Sequence, residues 1–331
     1  MNKFLLMRLL GLIVVLVTMT AVIFLLRQVV PSDPARAAVG PNAPTSVLEA
    51  KRAELGLDDP LPVQYVTYLG QLARGDLGES VRTRQQVRAD IADTLPASLE
   101  LAVVAMLLAL LIGPGIAVLQ SLLPRPGPLR YVLASATSAP IFLTGLLLLY
   151  LLWFRLHLLP GGGRSSFADP PAGPTGLLSV DAVLAGRFLV AWDAVQHLVL
   201  PALTLALPMA AAIGRSLRSS LIGVLRQDYV RTARSKGLPE RQVLRRHGIR
   251  NASTGPLAMA GLQVGLIFAN LLVVERIFAW PGTGAYTLQA LGADDLTAVL
   301  GASLVFGAIY IVVNTLVDLA QAWLDPRVTL S

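Results

Sequence analysis

Six stretches of the chain contain no Asp, Glu, Lys or Arg for 18 residues or more, and each has a strongly apolar core. They are Leu9–Leu26, Leu101–Pro124, Tyr131–Phe154, Ala194–Gly214, Asn251–Val274 and Leu296–Val317. A helix needs about 20 residues, at roughly 1.5 Å each, to cross a hydrocarbon core of about 30 Å. All six reach or approach that length. Lipid offers the backbone no hydrogen-bond partners, which favours helices, and the short alternating strands of a barrel are absent. Composition agrees: 54% of the 331 residues are hydrophobic and 14% charged, against roughly 25% charged in an ordinary soluble domain. Mean hydropathy is +0.65. These values exclude a soluble globular enzyme and a disordered chain. The expected fold class is an all-α integral membrane protein with six transmembrane helices.

The first stretch also resembles a secretory signal, because Lys3 and Arg8 precede it and Ala35-Arg36-Ala37 looks like a cleavage site. An 18-residue apolar run exceeds the usual 7–15 of a signal core, and the candidate site lies far beyond it. The segment therefore reads as a retained helix. Basic residues set the orientation. With the N-terminus cytoplasmic, the inside carries 15 Lys and Arg against four acids, and the outside 12 against 16. Inside is then +11 and outside −4, so both termini are expected in the cytoplasm. The basic excess is a topology signal and needs no nucleic acid. The expected organisation is a first transmembrane helix over 1–30, an extracytoplasmic helical segment over 31–94, and a five-helix core over 95–325.

In the outer segment, Ser46-x-x-Glu49 reads as a capping box, Val47–Leu55 as a helix and Gly56 as its end. Val63, Val66, Leu69 and Leu72 recur every three residues, an amphipathic stripe suited to the membrane surface, and read either as a packed extracytoplasmic cap or as a docking surface for an external partner. The loop over about 155–193 is rich in Gly and Pro, and the sequence holds no phosphate-binding Gly-x-x-x-x-Gly-Lys-Ser/Thr.

The most informative segment is the basic loop over 226–251, between the fourth and fifth helices. It reads as helix, break, helix. Gly237 suits the left-handed residue that ends one helix, Pro239 the first position of the next, and Glu240 complements that helix's positive N-terminal end. Either the loop lies on lipid headgroups, or it projects a short helix into a groove of a cytoplasmic protein.

The stretch Tyr229-Val-Arg-Thr-Ala-Arg-Ser-Lys-Gly237, followed by Arg246-His-Gly-Ile-Arg-Asn-Ala252, resembles the coupling loop of bacterial ABC importer permeases. The branch it is most similar to is the B-type membrane subunit of dipeptide, oligopeptide and nickel transporters. Further resemblances are Leu55-Gly-Leu-Asp-Asp-Pro-Leu61, Gly75-Asp-Leu-Gly-Glu-Ser80, Leu200-Pro-Ala-Leu-Thr-Leu-Ala-Leu-Pro208 and Phe278-Ala-Trp-Pro-Gly-Thr-Gly284. Arg231-Thr232-Ala233 stands where the general pattern has Glu-Ala-Ala, a variant common in the peptide branch. The resemblance implies a type I importer permease, multi-pass in the bacterial cytoplasmic membrane, that takes a solute from an external binding protein. It implies a second homologous permease subunit and two cytoplasmic ATPase subunits that bind the ATP and Mg; this chain itself would carry no cofactor and no catalytic site. Asp228, Tyr229, Arg231, Thr232, Ala233, Lys236, Gly237 and Leu238 are then the candidate ATPase-coupling residues. Peptides, nickel chelates and related small solutes are all carried by this branch.

Polar residues at membrane depth are candidates for the translocation pathway. Gln263 and Asn270 are seven apart, and Asn314 and Asp318 four apart, so each pair shares a helix face. The same residues also suit plain interhelical hydrogen bonding. Gly261-Leu-Gln-Val-Gly265 reads as a helix-packing motif, and Pro201 and Pro208 as kink positions in the fourth helix. His157 and His197 are expected near outer helix ends facing water or headgroups. Glu275-Arg276 reads as an interfacial pair. An ion-coupled secondary carrier is the rival function, but it needs internal repeats and midplane ionisable groups, and no clear repeat is present. An intramembrane protease needs a positioned nucleophile and base, and Ser121, Ser135, Ser138 and Ser303 have no evident partner. Without cysteine, disulfides, thiolate metal sites and cysteine nucleophiles are excluded.

Overall fold

A computed structural model describes residues 2–29, 34–40, 43–54, 56–122 and 139–324. Leu55, Pro124, Arg125, Arg130, the first part of the third apolar stretch (131–138), Asp325 and Arg327 lie outside the described residues. Among those described, the secondary structure is helical apart from an isolated antiparallel bridge between Glu79 and Gln86.

The helices are α1 (Asn2–Val29), α2 (Pro34–Val39), α3 (Thr45–Glu54), α4 (Leu61–Ala73), α5 (Val87–Leu122) and α6 (Ile141–Leu148). The last continues as a π-helix over Leu149–Arg155. Then come α7 (Leu178–Leu184), α8 (Phe188–Leu225), α9 (Asp228–Ser235) and α10 (Glu240–Val243). A π-helical turn over Leu244–Ile249 and a helical turn over Arg250–Ala252 lead into α11 (Thr254–Ile277), α12 (Thr283–Gly292) and α13 (Leu296–Leu324). Four described helices are long and apolar enough to cross a membrane: Val87–Gln120, Phe188–Leu225, Thr254–Ile277 and Leu296–Val317. The apolar runs Ile13–Leu26 and Ile141–Arg155 are helical but shorter. The long helices overrun the charge-free stretches. The fourth starts at Phe188 rather than Ala194, because Asp193, Arg215 and Arg218 interrupt its apolarity and not its helix.

The chain forms two compact units. The first comprises 1–95 and 286–311. Here α1 meets α4 through tilted rings, Phe24 on Tyr65 and Tyr68 at centroid distances of 5.4 and 6.1 Å. The face of α4 against α1 therefore carries Tyr65, Tyr68 and Leu72, whereas Val63 and Val66 of the expected stripe are exposed. Ser46 lies inside α3 and not at its cap; the Pro44 carbonyl accepts the first bonds, from Val47 and Leu48. Gly56 does end this helix, at φ +63°. The Gly75–Ser80 motif turns at Asp76, which accepts the Gly78 N–H at 2.9 Å, and runs into the bridge between Glu79 and Gln86. Asp295, fully buried before α13, accepts from Ser80 Oγ (2.5 Å), Arg82 N–H (3.1 Å) and Ala298 N–H (3.1 Å). Burial, then the hydrogen bond to Asp90 (3.0 Å), pushes the Tyr286 phenol well above its ordinary pKa.

The second unit comprises 96–285 and 312–331. Its core joins Leu101, Ala105 and Ala109 of α5 to Leu200, Leu205 and Ile213 of α8 and Leu271 and Val274 of α11. Helices α5 and α8 cross so closely that a Cβ on Gly113 would run into the Ala210 carbonyl, and one on Gly214 would meet the Gly113 carbonyl at 2.8 Å. Pro201 and Pro208 lie within the span of α8. Gly261 lets Val317 approach α11, since a Cβ there would sit 2.8 Å from Val317 Cγ1.

Candidate functional site

The loop over 226–251 folds into an elbow. Helix α9 ends with Lys236 as its cap and Gly237 at φ +78°. The Gly237 N–H donates to the Arg234 carbonyl (2.9 Å) and the Leu238 N–H to that of Ala233 (3.4 Å), which satisfies carbonyls that a helix end leaves open. Pro239 is the cap of α10 and Glu240 its first residue, one position later than the sequence suggests. Proline's fixed φ suits a cap as well as a first turn.

Across the break, Arg234 grips Glu240 with both arms: Nε to Oε2 at 3.0 Å and Nη2 to Oε1 at 2.5 Å. These hydrogen bonds hold the Glu240 carboxyl below its usual pKa and raise that of Arg234. Both side chains are about half exposed (40% and 53%), so the pair contributes at most about 1 kcal/mol. Its larger effect is to fix the angle between the two short helices. Spacing across a glycine gave no local signal for it.

The candidate coupling residues divide into two sets. Ala233 is buried with Val230 and Val243, and Leu238 packs against them. With Gly237 they build the elbow. Asp228, Tyr229, Arg231, Thr232 and Lys236 point outward, Asp228 and Arg231 with 97% and 78% of their side chains exposed. The elbow is fastened to the long helices by its second half. Leu244 and Ala252 are buried among Ala117 of α5 and Leu217 and Leu221 of α8, with Ile249 beside them. An exposed polar face thus stands on an apolar root reaching two apolar helices, and α11 begins two residues after Ala252.

Gln263, Asn270 and Asn314 are each half-buried. Gln263 Nε2 lies 3.8 Å from Met259 Sδ. Asn314 Oδ1 approaches Gly261, 3.9 Å from where a Cβ would sit. At about 100° per residue, Gly261 is on the side of α11 opposite Gln263 and Asn270, so the three side chains do not form one cluster. The Asp318 side chain lies outside the described residues.

Two other expectations change. His197 is buried (4% exposed) and does not face water or headgroups. Its Nδ1 is 2.9 Å from the Asp193 carbonyl, and its Nε2 3.4 Å from Ser166 Oγ. Asp193 in turn accepts from Ser165 Oγ and the Ser166 N–H, both at 2.7 Å, so these residues clamp the 165–167 loop to α8. His157 is exposed. Glu275 and Arg276 are not a pair: Glu275 is wholly buried, bonded to Ser98 and Ala285, while Arg276 is exposed. Neighbours on a helix point about 100° apart, which sends one inward and one outward. Among the described residues no three His, Asp or Glu are grouped to hold a metal.

Residues 127–330 match the family described as "binding-protein-dependent transport system inner membrane component", and residues 1–102 match its N-terminal companion. The chain belongs to this family of inner-membrane transport components. It is 38% identical over 322 residues to a probable D,D-dipeptide transport system permease of Escherichia coli K12, covering 96% of this chain and 95% of the relative. It is also 38% identical to a di/tripeptide transport system permease of Pseudomonas aeruginosa, covering 93% of each. A glutathione transport system permease of Salmonella paratyphi A is 33% identical over 331 residues, 99% of each. As a member, the chain is a multi-pass permease of the cytoplasmic membrane.

Proposed function

We propose that this chain is the permease subunit of an ATP-driven importer of short peptides, working with a second permease, two cytoplasmic ATPase subunits and an external binding protein. The full-length likeness to permeases named for dipeptides, di/tripeptides and glutathione supports the substrate class. Six transmembrane helices, with 31–94 outside as a helical segment, 95–325 as the core and both termini inside, agree with the charge distribution.

The observation that carries the coupling role is the elbow. Its outward residues Asp228, Tyr229, Arg231, Thr232 and Lys236 contact an ATPase, while Ala233, Gly237 and Leu238 keep it rigid. ATP-driven movement can change access to a distant pathway only through an element that differs in its contacts between two states. The elbow, rooted in α5 and α8 and continuous with α11, has that construction. Gln263 and Asn270, which share one half-buried face, and Asn314 are the pathway candidates.

The test is reconstitution in liposomes. The chain alone should neither hydrolyse ATP nor accumulate radiolabelled alanyl-alanine; with partner subunits and binding protein it should do so only when ATP is present. Accumulation driven by an ion gradient without ATP would make it a secondary carrier instead.

A further inference from the structure

Helix α11 starts beside the elbow, and Glu275 sits near its other end, about 30 Å away at 1.5 Å per residue. Its side chain is 0% exposed. A carboxyl removed from water is tolerated only when donors are aimed at it. Here they come from two elements: Ser98 Oγ, on α5, donates at 2.5 Å, and the Ala285 N–H, on α12, donates at 2.8 Å. Ser98 is itself fully buried and accepts the Thr283 N–H at 2.8 Å.

The strap that follows α11 is shaped around this carboxyl. A Cβ on Gly282 would collide with it, and one on Gly284 would come within 2.9 Å of Oε2 and 3.0 Å of the Leu272 backbone nitrogen. The strap is also tied down elsewhere. Trp280 Nε1 donates to the Ala97 carbonyl (3.0 Å), and the Phe278 carbonyl accepts the Gly163 N–H (2.9 Å). The Arg164 guanidinium stacks 5.7 Å from the Trp280 ring. An apolar side chain would fill the same space at lower desolvation cost, but it would fasten nothing.

We infer that Glu275 is a positioning residue for transport: it locks the far end of α11 to α5 and to the 278–285 strap, so that displacement delivered at the elbow reaches the far end of the pathway. This inference rests on the coupling role proposed above. The complete importer is compared in liposomes as wild type, Glu275→Gln and Ser98→Ala, measuring ATP hydrolysis and alanyl-alanine uptake together. In both variants hydrolysis should stay near the wild-type rate while peptide imported per ATP falls, by about ten-fold for Glu275→Gln, the size of an ordinary coupling free energy. Unchanged uptake per ATP, or hydrolysis falling in step with uptake, overturns the inference. Should Glu275→Gln fail to accumulate in membranes, Ser98→Ala decides alone, with the same outcomes.

A second readout needs no transported peptide. The chain has no cysteine, and Ala279 is exposed in the strap. Maleimide labelling at Ala279→Cys should differ between resting and vanadate-trapped importer, and Glu275→Gln should abolish that difference. A wild type that hydrolyses ATP without uptake would refute the importer reading, whereas a labelling difference that survives Glu275→Gln would refute the role of Glu275.

Discussion

Gly237 is the residue on which the elbow turns, and its requirement is purely conformational. Its φ of +78° lies in the left-handed region, yet a Cβ there would meet nothing within 4 Å. Substitutions should therefore rank by backbone tolerance and not by size. Asn should be best tolerated, Ala should cost about 1–2 kcal/mol, and the β-branched Val should cost more. Co-purification with the ATPase subunits and ATP-driven uptake should decline in the order Gly, Asn, Ala, Val; an order following volume would show that the glycine serves close packing. The glycine was readable in the sequence because a left-handed position writes itself into residue type. Arg234 with Glu240, and Ser98 with Glu275, were not. Their partners lie across a glycine break or 177 residues away, and neither distance leaves a local pattern.

At the scale of elements, charge-free length located the long helices but misplaced their ends. Val87–Leu122 begins well before Leu101, because Asp90, Asp93 and Glu100 are helical residues with partners or solvent and not helix breakers. On α4 the three-residue repeat divides: Leu72 packs beside Tyr65 and Tyr68 toward α1, while Val63 and Val66 stay exposed. The crossing of α5 and α8 was also hidden, although its glycines were in view. Gly113 and Gly115 look alike in sequence, yet a Cβ on Gly113 would strike the Ala210 backbone and one on Gly115 would meet nothing. Gly113→Ala should lower the thermal stability of the detergent-solubilised chain by an overpacking cost of about 1–3 kcal/mol, while Gly115→Ala should leave it unchanged. Equal effects in a melting assay would remove the close crossing from the account.

For the whole molecule, the family and the broad architecture were legible because lipid constrains sequence strongly and because ordered motifs span most of the chain. The pathway was not, since polar residues at membrane depth such as Gln263, Asn270 and Asn314 suit interhelical hydrogen bonding as well as a solute path. The account as a whole depends on the elbow being cytoplasmic and touching an ATPase. In this cysteine-free chain a single thiol at Ser235→Cys, exposed on α9, reports both. In the assembled importer it should form an adduct with the ATPase subunit through a short thiol cross-linker. It should also resist an impermeant maleimide until the membrane is opened. Labelling from the outside of sealed cells, or no adduct with the ATPase, would contradict the account.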